Sequence, residues 1–263
     1  MFRADLHCHS HYSDGTDSPQ ELIDLAIKVG LSGLSITDHD TVAAYKEALP
    51  YAQKLNFPLL TGVEFSSSFR GEPIHILGYG ISITSEAISK LCERHKKRRK
   101  ERNQRILEKL KHLGYPVELQ EEGETIGRPH IAMALMEAGV VESISEAFER
   151  FLGEGKPAYT PGQIIEVDET IDTIHRARGK AILAHPQLIK KKSTFRQMLQ
   201  KPFDGLEGYY AKLAPSREKE FLEAAKERNW LITGGSDYHG SVKPQAILGS
   251  SWVCKETFDA LSQ

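Results

Sequence analysis

The chain has 263 residues, with 34 lysines and arginines against 36 aspartates and glutamates, and a formal net charge of −2 at pH 7. This balance excludes a protein that coats nucleic acid nonspecifically, and 40% hydrophobic with 8% aromatic residues is an ordinary globular composition. No apolar run approaches the roughly 20 residues of a membrane span, and the N-terminus MFRADLHCHS lacks the apolar region of a signal peptide. We expect a cytoplasmic protein with no membrane association and no stable protein partner.

Short apolar runs alternate with helical stretches along most of the chain. Strands are predicted, in chain order, at 3–6, 34–37, 58–65, 74–79, 181–184, 205–209 and 231–234. Helices are predicted at 19–30, after the capping box Ser18-Pro19-Gln20-Glu21, and at 40–55, 168–178 and 215–228. The alternation predicts an α/β fold with a parallel sheet closed into a barrel, whose sites lie at the carboxyl ends of the strands.

The alternation stops between about residues 82 and 160, where only helices are predicted, at 85–113, 129–138 and 143–151. We therefore expect a barrel domain formed by 1–81 and 161–263, with an all-helical insertion at 82–160. On its first helix, Arg99 and Arg102 share a face with apolar residues. Charges on such a face either pair with acidic neighbours or bind an anion, and the sequence leaves both interpretations open.

Metal-competent side chains form five clusters, and four of these lie at or just after the end of a predicted strand. The clusters contain His7, His9 and Asp14; His39; Glu64 and His75; His185; and Asp237 and His239. Imidazole and carboxylate together suit Zn, Mn or Fe. Nine ligands exceed the bonds of one ion, so the pattern predicts a two- or three-metal centre, a kind of site that usually hydrolyses phosphate esters.

The spacing within the clusters explains how they converge. His7 and His9 alternate with Cys8, so both imidazoles reach the same face of a strand while Cys8 packs on the other. Glu64 has two oxygens and could bridge two ions. Asp38 or Asp40 is expected to orient the ring of His39 between them. The three cysteines are widely spaced without a CxxC pair, so neither a disulfide framework nor a thiolate zinc site is expected.

These motifs resemble the PHP (polymerase and histidinol phosphatase) family. The matching segments are HxHxxxxD at the N-terminus, TDHD around His39, GxExS around Glu64, the later His75, AHP at His185 and GSDxH at Asp237 and His239. Within the insertion, GRPHIA at 127–132 and FLGEGKPAY at 151–159 resemble the subgroup of nucleoside 3′,5′-bisphosphate phosphatases and 5′→3′ oligoribonucleases.

The resemblance implies a distorted seven-stranded barrel with three divalent ions, most often Mn²⁺, with Zn²⁺ or Fe²⁺ as alternatives. It assigns one ion to His7, His9, Glu64 and Asp237, a second to Glu64, His75 and His185, and a third to Asp14, His39 and His239. Glu64 would bridge two of the ions. All nine positions match the motifs, which favours an active enzyme.

The resemblance also implies that Arg128, Arg99 and Arg102 bind phosphate. A guanidinium matches phosphate oxygens, and Arg128 precedes Pro129, a predicted first helical residue, so an anion there would lie near a helix N-terminus. The alternative for Arg128 is a structural ion pair. His130 and Lys156 are further candidates for the same role.

The expected reaction is metal-assisted hydrolysis of a phosphoester, with Glu64, Asp14 and His239 as catalytic residues. Asp14 and His239 are the two candidates for protonating the leaving oxygen. The expected substrate is a nucleotide or short oligonucleotide: a nucleoside 3′,5′-bisphosphate, which would lose its 3′-phosphate, or 5′-phosphorylated RNA.

Three alternatives are a phosphatase for small molecules such as histidinol phosphate, a non-catalytic metal-binding PHP module and a metal amidohydrolase. The helical insertion argues against the first. The complete ligand set, without an attached polymerase, argues against the second, and the GSDxH ending argues against the third.

Overall fold

A computed structural model describes residues 1–119, 125–211 and 213–263. Five residues of the expected insertion, 120–124, lie outside this range. The described residues form seven strands: β1 (Ala4–Cys8), β2 (Gly33–Ile36), β3 (Leu59–Phe69), β4 (Glu72–Tyr79), β5 (Lys180–Leu183), β6 (Gly205–Tyr210) and β7 (Leu231–Gly235). All seven strands predicted from the sequence are confirmed, although their ends shift by up to four residues.

The seven predicted helices appear in the predicted order, and the described residues contain two further helices, at Lys192–Met198 and Lys255–Leu261, that were not predicted. The described residues contain α1 (Pro19–Lys28), α2 (Tyr45–Lys54), α3 (Glu86–His112), α4 (Arg128–Glu137), α5 (Ile144–Ala147), α6 (Val167–Arg176), α7 (Lys192–Met198), α8 (Pro215–Lys226) and α9 (Lys255–Leu261). The predicted capping box is present: Ser18 Oγ accepts from the Glu21 amide, and the Glu21 carboxylate accepts from the Ser18 amide. Two predictions differ. Helix α2 begins only at Tyr45, and a π-helical turn, Phe148–Leu152, follows α5.

The strands form one sheet in the order β1-β2-β3-β4-β5-β6-β7, which curves into a nearly closed barrel. The carboxyl end of β1 bonds to the chain just after β7: the Asp237 amide donates to the His7 carbonyl, and the His9 amide donates to the Tyr238 carbonyl, both at 2.8 Å. These bonds bring the first and last clusters of predicted ligands together at one end of the barrel. The predicted fold class, a distorted seven-stranded α/β barrel, is confirmed.

The prediction of a parallel sheet is wrong for β4, which runs antiparallel to both β3 and β5. Only two residues, Arg70 and Gly71, join β3 to β4, and both have positive φ, as a tight hairpin turn requires. Two residues are too few for the crossover that a parallel pair needs. The reversal places the end of β3 beside the start of β4. His75, near the start of β4, therefore pairs with Ser66, which follows Glu64 on β3.

The chain divides into two compact units. Unit 1 contains Met1–Cys92 and Ile164–Gln263 and includes all the described strands. Among its described residues, the buried side chains form three hydrophobic clusters. Unit 2 contains Glu93–Gln163 and has its own hydrophobic cluster, which includes Ile106, Leu110 and Leu135. In the ranges described, no helix combines the length and apolar character needed to cross a bilayer.

Buried Glu72 ties the start of β4 to the start of α7. Its Oε1 accepts from the Lys190 and Lys191 amides at 2.7 and 3.1 Å, and its Oε2 accepts from Thr194 Oγ1 at 2.6 Å. Burial raises the pKa of Glu72, but the hydrogen bonds outweigh burial and lower it below its ordinary value of 4.5. The ionised form therefore stabilises the fold above pH 4.5, and this contribution is lost as the pH falls through the folded-state pKa.

Replacing Glu72 by alanine should lower the free energy of unfolding at pH 7 by about 1–3 kcal/mol, because buried amide donors lose their acceptor. The difference from wild type should shrink as the pH falls below 4.5. Urea unfolding at several pH values measures both effects. Glu86→Ala is the control, since that exposed side chain should cost less than about 0.5 kcal/mol. Equal stability of wild type and Glu72→Ala would contradict the assignment.

Candidate metal centre

The end of β1 places two imidazoles on the same side of the chain. His7 lies in β1, His9 follows it, and both are fully buried. Cys8 is buried in a hydrophobic cluster, and its thiol donates to the Ser35 carbonyl at 3.3 Å. The packing role predicted for Cys8 is confirmed.

The buried carboxylate of Glu64 lies at the centre of the site. Its Oε1 is 2.8 Å from His75 Nδ1 and 2.8 Å from His185 Nε2. Its Oε2 is 3.2 Å from three further imidazole nitrogens, His7 Nε2, His9 Nε2 and His39 Nδ1. One carboxylate therefore contacts imidazoles contributed by the β1, β2, β4 and β5 regions of the barrel.

Two more carboxylates extend this cluster. Asp14 Oδ1 lies 3.6 Å from His9 Nδ1 and 3.4 Å from His239 Nε2, and its Oδ2 lies 3.8 Å from His39 Nε2. Asp237 Oδ1 lies 3.4 Å from His9 Nε2 and 3.5 Å from His239 Nδ1. The structure thus brings together all nine side chains that the sequence singled out.

Among the residues that the structure describes, potential ligand atoms within 4.8 Å of one another form three groups. They are His7, His9, Glu64 and Asp237; His39, Glu64 and His75; and His9, Asp14, His39 and His239. The first group has the same members as one set implied by the resemblance. In the second, His39 stands where that resemblance placed His185, and the third contains His9 in addition. His39 joins the second group and His9 the third because each ring turns one nitrogen toward Glu64 and the other toward Asp14.

The donor set fits a transition-metal centre. Three buried atoms in the group, His9 Nε2, Asp14 Oδ1 and His39 Nδ1, lie close to charged neighbours but make no hydrogen bond of suitable geometry with the described residues. Buried polar atoms are normally paired, so unpaired ones converging on a common space indicate a ligand. Mixed imidazole and carboxylate donors suit Mn, Zn or Fe.

The acidic and basic groups of the cluster shift one another's pKa values in both directions. Burial lowers the pKa of His7, but Glu207, Glu64 and Asp237 outweigh it and raise that pKa well above its ordinary value. Burial raises the pKa of Glu64, but the nearby imidazoles, led by His39 and His75, outweigh it and hold the pKa well below its ordinary value. The pKa of Asp14 is lowered in the same way, mainly by His39 and His239. Burial lowers the pKa of His39 to about 3, so its ring is neutral at pH 7, the form that binds metals.

Asp38 and Asp40, the two residues predicted to orient the ring of His39, make other contacts in the structure. Asp38 accepts hydrogen bonds from the Ser10 amide, Ser10 Oγ and Ser13 Oγ, at 2.8, 2.6 and 2.6 Å. It thus anchors the loop after β1 to the end of β2. Asp40 has a positive φ of 60°, and its carboxylate accepts from the Ser66 amide at 2.8 Å, which links the β2 end to β3.

Three residues beside the cluster were missed by the sequence reasoning. Buried Glu207 lies 2.8 Å from His7 Nδ1. Tyr210 donates to Asp237 Oδ2 at 2.7 Å, and Lys243 forms an ion pair with the same oxygen. Asp237 Oδ2 is therefore occupied while its Oδ1 faces the imidazoles. A carboxylate inside an otherwise apolar strand, GLEGYY, was the signal available for Glu207.

The five residues proposed to bind substrate lie in unit 2. Arg99 and Arg102 are buried, and Arg102 donates to Asn103 Oδ1 through Nε and Nη2. Lys156 is exposed in the loop after the π-helical turn. His130 Nδ1 accepts from the Gly127 amide at 3.0 Å, so His130 caps the N-terminus of α4.

Arg128 is the first residue of α4 and is half-buried between two aromatic rings. Its guanidinium carbon lies 5.7 Å from the ring centres of both Phe148 and Tyr159, and Nη1 donates to the Leu152 carbonyl at 3.4 Å. Burial lowers the pKa of Arg128 below its ordinary value, and nearby Arg99 lowers it further.

Comparison with known proteins agrees with this geometry. The PHP domain family matches residues 5–237. The chain is 34% identical over 245 residues to a 5′-3′ exoribonuclease of Haemophilus influenzae, covering 89% of each protein. It is 29% identical over 250 residues to a 3′,5′-nucleoside bisphosphate phosphatase of Chromobacterium violaceum, covering 91% of this chain and 88% of that one.

A solved structure has the same fold over nearly the whole chain. It is described as a metal-dependent phosphoesterase from Bifidobacterium adolescentis and superposes with a TM-score of 0.88 at 31% identity, covering 98% of this chain and 94% of that one. The family match over most of the chain, the barrel and the imidazole–carboxylate cluster lead to one conclusion: the chain belongs to the PHP family and is a metal-dependent phosphoester hydrolase.

Proposed function

We propose that this enzyme removes the 3′-phosphate from nucleoside 3′,5′-bisphosphates and hydrolyses 5′-phosphorylated short RNA from its 5′ end. The observation that carries this proposal is the convergence of nine side chains, with Glu64 at their centre. The relatives named as an exoribonuclease and as a nucleoside bisphosphate phosphatase support the choice of substrate, since each matches about nine-tenths of the chain.

The centre would hold three divalent ions, with Mn²⁺ favoured over Zn²⁺ and Fe²⁺. The ligands would be the nine residues His7, His9, Asp14, His39, Glu64, His75, His185, Asp237 and His239. Bound there, the ions would supply Lewis acidity and lower the pKa of a water molecule. Glu64 suits the bridging position because each of its oxygens faces a different set of imidazoles.

Other side chains of the centre would transfer protons and position the candidate ligands. Asp14 and His239, whose Oδ1 and Nε2 atoms lie 3.4 Å apart, are the candidates for carrying a proton to the leaving oxygen. Tyr210 and Lys243 hold Asp237 in place through its Oδ2 atom. Glu64, His7 and His9 are buried away from bulk water, which strengthens the charge interactions among them.

Unit 2 would act as an insertion domain that recognises a further phosphate of the substrate. Arg128 supports this role because its guanidinium is held between Phe148 and Tyr159 at the start of α4. A helix N-terminus and a guanidinium both favour an anion. Arg99, Arg102 and Lys156 would add positive charge, while His130 would contribute by capping α4.

The substrate hypothesis predicts a preference for two phosphates. With Mn²⁺ added, adenosine 3′,5′-bisphosphate should be hydrolysed with a kcat/KM at least about tenfold above that of 5′-AMP, because a second phosphate gains charge-assisted hydrogen bonds. A phosphate-release assay compares both with histidinol phosphate and a 5′-phosphorylated oligoribonucleotide. Equal rates for 5′-AMP and the bisphosphate would refute the two-phosphate preference, and a preference for histidinol phosphate would select the small-molecule alternative.

The bridging role of Glu64 predicts coupled loss of metal and activity. Glu64→Gln should bind fewer ions per chain and lose activity by about a hundredfold or more, since the remaining ligands no longer share a negative bridge. Elemental analysis and a Mn²⁺-dependent phosphatase assay measure the two effects. Glu86→Gln removes an exposed carboxylate of unit 1 and should change neither. A Glu64→Gln protein with full metal content and full activity would rule out the bridge.

The phosphate-binding role of Arg128 predicts a change in KM. Arg128→Ala should raise KM for the bisphosphate about tenfold and leave kcat within about twofold, as expected when uniform binding is lost. Steady-state kinetics measure both constants. Arg150→Ala is the matched control, because Arg150 also lies over an aromatic ring in unit 2 but pairs with Glu146. If KM of the Arg128 variant stayed at the wild-type value, Arg128 would be structural.

A further inference from the structure

Glu207 is a fully buried carboxylate on β6 with two well-defined contacts. Its Oε1 lies 2.8 Å from His7 Nδ1, and its Oε2 accepts from the backbone amide of His185 at 2.7 Å. In the ranges that the structure describes, its ion-pair contact is His7, with no lysine or arginine. A buried carboxylate without a cationic side chain is expensive for stability, so its position next to two candidate ligands calls for a functional explanation.

The first contact decides which nitrogen of His7 is free to bind a metal. A carboxylate at this position accepts a hydrogen bond, so the ring proton of neutral His7 lies on Nδ1. The lone pair is then on Nε2, which faces Glu64 Oε2 at 3.2 Å and Asp237 Oδ1 at 3.5 Å. The same hydrogen bond makes Nε2 a more basic ligand.

The second contact holds a strained backbone. His185 has φ 24° and ψ 63°, in the left-handed region that non-glycine residues seldom occupy. Its amide is fixed by Glu207 Oε2, and its ring Nε2 lies 2.8 Å from Glu64 Oε1. The rings of His7 and His185 lie nearly parallel, with centres 5.8 Å apart. Glu207 therefore contacts two residues whose imidazoles are neighbours.

We propose that Glu207 is a positioning residue of the metal centre, which fixes the Nδ1–H tautomer of His7 and the backbone of His185 so that both rings present Nε2 to the metals. This inference rests on the metal centre of the proposed function. It adds a residue outside the nine candidate ligands and couples two ligands that lie far apart in the chain.

Glu207→Gln tests the proposal without changing the size of the side chain. The amide –NH₂ must face either His7 Nδ1 or the His185 amide. At His7 it would favour the wrong tautomer, and at His185 it would place two donors together. The affinity for Mn²⁺ and Zn²⁺ should fall about 10–100-fold, measured by competition between the purified metal-free protein and a fluorescent chelator.

Glu72→Gln is the matched control, because it also neutralises a buried carboxylate of unit 1 that accepts backbone amide hydrogen bonds. Its metal affinity should stay within about twofold of wild type. A Glu207→Gln affinity equal to that of wild type or of Glu72→Gln would overturn the positioning role. Wild-type protein that bound no metal would instead refute the proposed centre itself, so the two failures are distinguishable.

A second measurement applies if Glu207→Gln does not fold. In the Zn²⁺-loaded wild-type protein, ¹H–¹⁵N correlation spectra of the histidine side chains should show His7 protonated at Nδ1. The His7 signal would be assigned by its loss in His7→Gln. A His7 ring protonated at Nε2 would overturn the proposal, because that nitrogen could not then bind a metal.

Discussion

The crowding of five imidazoles around the buried carboxylate of Glu64 is the constraint on which the rest of the site depends. Burial alone would disfavour the ionised carboxylate, and the imidazoles reverse that preference. Such a group of donors is stable only when its charges and lone pairs find partners. This end of the barrel is therefore suited to binding cations, which would accept the lone pairs that make no hydrogen bond with the described residues.

The surrounding backbone is built to hold these groups in place. Buried Asp5 accepts amide hydrogen bonds from His7, Ser236 and Gly249, and so joins β1 to the chain after β7. Burial raises the pKa of Asp5 to about 6, so this anchor is itself costly to ionise. Asp237, like His185, adopts a positive φ. Strained residues and buried carboxylates at one end of the barrel indicate that stability has been exchanged for the precise placement of ligands.

The two compact units carry different chemistry. Unit 1 contains the imidazoles and carboxylates that suit metal-assisted hydrolysis, whereas unit 2 contains buried or half-buried arginines and the start of α4. Metal chemistry on a phosphate requires few features of the rest of the substrate, so substrate choice needs a separate source of binding energy. In the function proposed above, the arginines of unit 2 would take that task, because guanidinium groups match phosphate oxygens. The proteins named above align with 89%, 91% and 98% of the chain.

The sequence by itself determined the strands, most of the helices and the nine candidate ligands. These features depend on local sequence: the periodicity of apolar residues predicts helices and strands, and residues two apart on a strand, such as His7 and His9, lie on the same face. Only the tertiary structure decided the direction of β4, which depends on a turn with positive φ at Arg70. Arginine seldom adopts positive φ, so its presence in the sequence does not predict such a turn. It alone revealed Glu207, because His7 and Glu207 lie 200 positions apart and meet only when the barrel closes. Local patterns encode faces and elements, whereas contacts between distant segments are set by how the sheet curves and which strands become neighbours.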